Sequence, residues 1–239
     1  MWDNDVNTFV LSREFKQSLR DPNLYARTDG ILMLLYVDVI SMWYLEDATN
    51  ATIEVKGMVP ETYKITLPSP ARQFLGSAIH RVENSTSTVT TINLSQKAFI
   101  TINLKRFNMR NAHGALTPMN PDVKLDLVED QGEKELKDIK GYQAIVGSVV
   151  YAALATWSGI SFAVASHCQF NFRQFTSHLT VVRRVFQYLK STPDFRLHFS
   201  STGSNNQPTG YTDSDWANDT ADRKFKRGHV FLLSNRGVW

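Results

Sequence analysis

The chain has 239 residues, 42% hydrophobic and 21% charged, with a formal net charge of +3. That balance excludes a disordered, collagenous or low-complexity chain, and the length suffices for a sizeable core. A single cysteine, Cys168, excludes an internal disulfide framework and a Cys-rich zinc site, and the scattered histidines form no His-x-x-x-His pair.

The opening residues, MWDNDVNTFVL, are acidic and lack a long apolar core, which is unlike a signal peptide and gives an intracellular expectation. Residues 23–45 read as a β-hairpin, with Thr28-Asp29-Gly30 as its turn. Ile31 to Val37 is a nearly continuous apolar run and predicts a strand buried on both faces; Ile40 to Tyr44 predicts the returning strand. Asp47 to Gly57 reads as a helix, and Tyr63–Leu67 and Gln73–Arg81 as strands. Ser95 is placed to cap a helix running to Phe107. Asn111 to Lys140, with Pro118 and Pro121, reads as a connector. Helices follow at Asp138–Leu154, Ile160–His167 and Ser177–Lys190. The last is the most regular, with Leu179, Val182, Val185, Phe186 and Leu189 at helical spacing. Phe195–Phe199, Thr209–Thr212 and His229–Leu233 predict strands.

Charge is segregated along the chain. Neither Asp nor Glu occurs from Asn84 to Pro121 or from Ile139 to Pro193, whereas acids gather between Asp122 and Asp138. Positive stretches of this kind suit a polyanion track, and solvated helix faces would give the same pattern. From Gly141 to Phe172 there is no Asp, Glu, Lys or Arg. Ile145 to Ala165 is long enough to span a bilayer, and a pair of buried helices joined at Ser158-Gly159 fits equally well.

A buried apolar strand that ends in Asp38 is costly unless the carboxylate has a partner or a task. Leu34-Leu35-Tyr36-Val37-Asp38, after Asp21-Pro22-Asn23-Leu24-Tyr25, resembles the reverse transcriptase of copia-type (pseudovirus) retrotransposons. Further similarities come in family order. Phe74-Leu75-Gly76 resembles the primer-grip segment, and Leu94-Ser95-Gln96 to Phe107-Asn108-Met109 the thumb. Tyr142, Val146-Gly147-Ser148, Tyr151-Ala152 and the run from Arg183 to Lys190 follow. Gly210-Tyr211-Thr212-Asp213-Ser214-Asp215-Trp216 and Gly228 to Leu233 look like the opening strands of the family's ribonuclease H domain. The resemblance runs from about Phe15 to Trp239.

The resemblance implies an α+β chain: a truncated palm and thumb at residues 1–110, a helical connection at 111–205 and an incomplete ribonuclease H-like sheet at 206–239. It implies magnesium chemistry, in which two divalent ions about 4 Å apart clamp the attacking and leaving oxygens. The family's turn reads Tyr-Val-Asp-Asp, with a third Asp on a strand well upstream. Here the turn reads Tyr36-Val37-Asp38-Val39, and no match for the upstream Asp is present. Asp38 therefore stands as a lone polymerase ligand and Asp213 as a lone ribonuclease H ligand, two incomplete sites at which Mg2+ is not expected to be retained. Thr156-Trp157-Ser158-Gly159-Ile160 stands where the family usually has Thr-Arg-Pro-Asp-Ile, a departure that creates the uncharged run and reads as drift.

The expected function is that of an inactive polymerase remnant with residual, non-specific affinity for an RNA or DNA primer-template duplex. Phe74, Leu75, Gly76, Lys97, Lys105, Arg106, Arg183, Arg184 and Lys190 would line its path. Two other readings stand beside it. One is an active enzyme using Glu46 or Asp47, which lie several residues beyond the turn at about 3.3 Å each. The other is a non-enzymatic protein that partners an intact polymerase, with self-association through the incomplete sheet. No membrane partner is expected.

Overall fold

In the computed structural model the described residues are 2–37, 39–44, 53–57, 71–83, 90–120, 122–123, 135–200, 207–214, 227–233 and 236–238. They fall into two units, Met1–Ala71 and Arg72–Trp239. The division lies between Ala71 and Arg72.

In the first unit, helix α1 (Trp2–Ser12) turns Val6 and Val10, four residues apart, toward the core. There they meet Phe15, Tyr25, Ile31, Met33 and Val55. The sheet beneath is antiparallel, in the order β1 (Lys16–Gln17), β2 (Leu24–Ala26), β3 (Leu32–Tyr36), β4 (Val39–Trp43). The expected hairpin joins β2 to β3, with Tyr25 opposite Met33. Gly30, at φ +87°, supplies the left-handed residue of its turn, and Arg27 clamps Asp29 at 2.7 Å. The apolar run is not buried on both faces. Met33 is buried, but Leu32 and Tyr36 are 42% and 46% exposed, so only the face toward α1 is sealed. Of the expected 47–57 helix, residues 53–57 form a helical turn with Val55 buried; Asp47 and the predicted strand Tyr63–Leu67 lie outside the described residues.

In the second unit, the predicted Gln73–Arg81 strand is two strands. β5 (Gln73–Phe74) folds back through Leu75-Gly76 onto β6 (Ser77–Glu83). β7 (Thr90–Ser95) and β8 (Leu197–Ser200) complete an antiparallel sheet in the order β5-β6-β7-β8. Helices α2 (Lys97–Arg106), α3 (Ile139–Ala155), α4 (Ser161–Cys168) and α5 (Thr176–Ser191) enclose a core built on Ile100, Leu104, Tyr142, Val149, Val182, Val185, Phe186 and Leu189. Asp138 caps α3 by accepting from the Gly141 amide at 2.9 Å. Ser95 ends β7 and its hydroxyl accepts from the Lys97 amide, one residue before the α2 cap at Gln96.

The uncharged run is the buried pair of helices: α3 ends at Ala155, a 3-10 turn spans Ser158–Ile160, and α4 follows. Among the described residues no helix is long and apolar enough to cross a membrane. A third sheet, β9 (Pro208–Ser214), β10 (Arg227–Leu233) and β11 (Arg236–Val238), runs antiparallel in the order β11-β10-β9. Every residue of β9 is exposed, so neither of its faces is sealed.

Candidate nucleic-acid interface

The turn between β3 and β4 contains only residues 37 and 38, because Tyr36 pairs directly with Val39. Val37 is left-handed, at φ +52°, and 74% exposed. A branched residue in that region is strained, and strain of this kind persists only where the surrounding hairpin fixes it. Val37 and Val39 line a small cleft with Asn7, Gln17, Asn23 and Tyr25. The Tyr25 hydroxyl donates to Asn7 Oδ1 at 2.8 Å, and Gln17 Nε2 donates to the Pro22 carbonyl at 2.8 Å. Asp38 itself lies outside the described residues.

Magnesium takes oxygen ligands in a near-octahedral set. Val39 offers only hydrocarbon and cannot itself ligate magnesium. Asp213 is exposed on β9, opposite Gly228. Among the described residues no group of three His, Cys, Asp or Glu is placed to hold a metal.

The Phe74–Gly76 segment is the apex of the β5–β6 hairpin. Phe74 pairs with Ser77, so Leu75 and Gly76 are the whole turn, at φ +46° and +71°. Two consecutive positive φ values give the primed turn whose twist matches that of an antiparallel pair. Leu75 is exposed at the tip. The Tyr151 hydroxyl, from α3, donates to the Leu75 carbonyl, and the Tyr151 ring meets Phe99 of α2 at 4.9 Å. Helix α2 packs beside β6, so the hairpin and this helix form one assembly.

The basic residues divide into two groups. Lys97 pairs with Asp194 at 2.8 Å on an exposed surface. Lys190 Nζ donates to the carbonyls of Arg110 at 2.9 Å and Ala112 at 2.7 Å, and Arg184 Nη2 donates to Thr117 Oγ1 at 3.1 Å. These two cations lash the connector loop to α5. By contrast, Lys105, Arg106 and Arg183 have no acidic partner at ion-pair distance among the described residues. Arg106 lies over the Phe107 ring at 5.3 Å. Phe107 and Arg183 line the same cleft, of about 160 Å³, together with Asn108, Asp138 and Tyr142.

A buried aromatic and histidine cluster lies behind that cleft. Tyr142 donates to the His167 carbonyl at 3.1 Å, and burial pushes its phenol well above the usual tyrosine range. His167 is fully buried, with neither ring nitrogen hydrogen-bonded. Burial, with nearby His178 adding like charge, drops its imidazole to about 4. His178 stacks on Phe170 at 4.0 Å and accepts from the Phe175 amide. Burial also raises the Cys168 thiol.

Sequence reasoning gave no role to Tyr151, His167 or His178. Tyr151 stood among the family similarities and at helical spacing from Gly147 and Ala155, neither of which reveals a hairpin tip 76 residues earlier.

A family model described as "Reverse transcriptase (RNA-dependent DNA polymerase)" matches residues 1–121. The chain is 30% identical over 247 residues to the retrovirus-related Pol polyprotein from transposon TNT 1-94 of Nicotiana tabacum, covering 99% of this chain and 18% of that protein. It is 30% identical over 243 residues to the corresponding polyprotein from transposon RE2 of Arabidopsis thaliana, covering 99% of this chain and 16% of that one. A putative transposon Ty5-1 protein of Saccharomyces cerevisiae is 27% identical over 219 residues, which are 90% of this chain and 67% of the yeast protein. The chain thus spans less than a fifth of the length of the two plant polyproteins. No solved structure matches it.

Proposed function

The chain belongs to the reverse transcriptase (RNA-dependent DNA polymerase) family of copia-type retrotransposons, and from that premise we propose that it holds nucleic acid without extending it. The observation that carries this reading is Val39. It sits directly across the turn from Tyr36, where the family places its second metal-binding carboxylate. A valine cannot ligate magnesium, and two-ion phosphoryl transfer needs both ions clamped.

Binding is supported by the second unit. A left-handed hairpin tip of primer-grip type projects Leu75, Arg183 lines a cleft with Phe107, and Arg106 lies over the same Phe107 ring; neither arginine has an acidic partner at ion-pair distance among the described residues. Cations of this kind neutralise phosphates and release counterions, giving affinity without sequence preference. Palm, thumb and ribonuclease H-like start are the corresponding assignments for residues 1–110 and 206–239.

The test uses a labelled RNA–DNA primer-template duplex. Fluorescence anisotropy should show binding that weakens with salt at a slope of about −0.9 per phosphate contact. Primer extension with magnesium and deoxynucleotides should yield no product. Extension by even one nucleotide would overturn the loss of synthesis, and a salt-independent signal would overturn the phosphate contacts.

A second reading rests on β9. Its residues are exposed throughout, and Tyr211, Val230 and Phe231 leave apolar surface on the sheet it forms with β10. Such a sheet suits association with a second copy or with an intact polymerase. Sedimentation of the purified chain as a monomer across the micromolar range would remove self-association.

A further inference from the structure

We propose that Tyr151 is a positioning residue: it holds the Leu75-Gly76 turn left-handed and so presents the hairpin tip to the sugar-phosphate backbone of a bound strand. The inference rests on the nucleic-acid reading above and assigns to α3 a part that the motif at 74–76 does not contain.

Leucine is an unfavourable residue at φ +46°, because its Cβ crowds the neighbouring backbone. A two-residue turn that uses leucine there needs help from outside the hairpin. Tyr151 supplies it by donating to the Leu75 carbonyl, which fixes the orientation of the peptide joining Leu75 to Gly76. Gly76 makes the approach possible. A Cβ built at that position would lie 3.3 Å from the Tyr151 hydroxyl and 3.8 Å from the ring. The ring is in turn held by Phe99 at 4.9 Å, inclined at 56°. Phe99 belongs to α2, the helix that also carries Lys105 and Arg106. Hairpin tip, thumb-like helix and connection helix therefore meet at a single phenol. A shift of α3 along its axis would be felt at the tip and at the basic helix together.

The central variant is Tyr151→Phe, which keeps the ring and its contact with Phe99 and removes only the hydroxyl. Leu75→Ala is the companion that tests contact at the tip. Three quantities are measured on the full chain: affinity for the primer-template duplex, the thermal midpoint, and the intraresidue amide–Hα Overhauser effect of Leu75, which is strong only at positive φ. The expected result for Tyr151→Phe is a weakening of duplex affinity by about two- to tenfold, the worth of one hydrogen bond. The Leu75 Overhauser effect should fall, and the thermal midpoint should drop by only a few degrees, because the same hydrogen bond is lost from the folded chain. A residue with a merely structural role would move the midpoint and leave affinity alone, and that outcome overturns the proposal. Unchanged affinity and an unchanged Leu75 signal also overturn it. If the wild-type chain binds and Leu75→Ala binds equally well, the tip touches no strand; the proposal then fails while the broader nucleic-acid reading stands. If the wild-type chain binds no duplex at low salt, that broader reading is what fails.

Discussion

Acid should weaken this protein through His167. The imidazole is buried in the α3–α5 core, neither nitrogen is hydrogen-bonded, and His178 lies close enough to oppose a second positive charge. Its folded-state value of about 4 lies below the unfolded 6.5. Between those values the unfolded chain binds the proton and the folded chain does not, so stability rises with pH. The stabilisation is fully present above pH 6.5 and is lost as pH falls from 6.5 to about 4. Integrated over that window it amounts to about 3 kcal/mol, of which about 2 kcal/mol is gone by about pH 5. Urea unfolding followed by far-UV circular dichroism at several pH values measures this directly. His167→Leu removes the titrating group and two unpaired polar atoms. It should equal or exceed the wild type in stability at neutral pH, and its midpoint should fall more gently on acidification. If wild type and His167→Leu lose stability in parallel between about pH 6.5 and about pH 4.5, the attribution to His167 is refuted.

Phe186 is fully buried against Phe107, and Phe186→Ala should cost about 3–5 kcal/mol through the cavity it leaves, read as a lower urea midpoint in the helical signal. Lys190→Met removes the donor to the Arg110 and Ala112 carbonyls. It should free the connector loop, seen as faster hydrogen exchange at the Ala115 amide, which donates to the Gln187 carbonyl at 3.3 Å. An unchanged exchange rate would mean that Lys190 does not hold the loop. Arg106→Gln and Arg183→Gln should each reduce the salt slope of duplex binding by about 1, whereas Arg184→Gln, whose guanidinium bonds Thr117, should reduce it less.

Patterns confined to a few turns of chain were readable. The stripe from Leu179 to Leu189 marked α5, Asp138 marked the start of α3, and Asp29-Gly30 marked the first hairpin. Helix α1 was hidden because Asp3, Asn4, Asp5, Asn7 and Thr8 surround the two residues that bury, Val6 and Val10. β7 was hidden in a run of Ser, Thr and Asn. The Ile31–Val37 run was over-read: continuity of apolar residues suggested two buried faces, while the α1 side alone is covered. At the candidate site, that Val39 offers no oxygen ligand follows from the residue type alone. The division of the cations does not. Lys190 and Arg184 look no different from Arg183 in the sequence, and only the path of residues 110–117 shows that they bond to a loop.

The pairing of β7 with β8 sets the pace at which the second unit can form. Thr91 lies opposite Ser200, and the side chains of Asn93 and His198 meet across 105 residues of sequence. Closing so long a loop is entropically costly, and domains rich in distant pairings fold slowly. On the ribosome, at about 5–20 residues per second, β7 waits roughly 5–20 s for its partner strand to be made. Until then it is an open, hydrogen-bond-hungry edge beside the β5–β6 hairpin. The helices between can form early from local contacts. A nascent chain stalled before Leu197 would therefore expose β7 as a strand ready to pair with its neighbours on the same polysome.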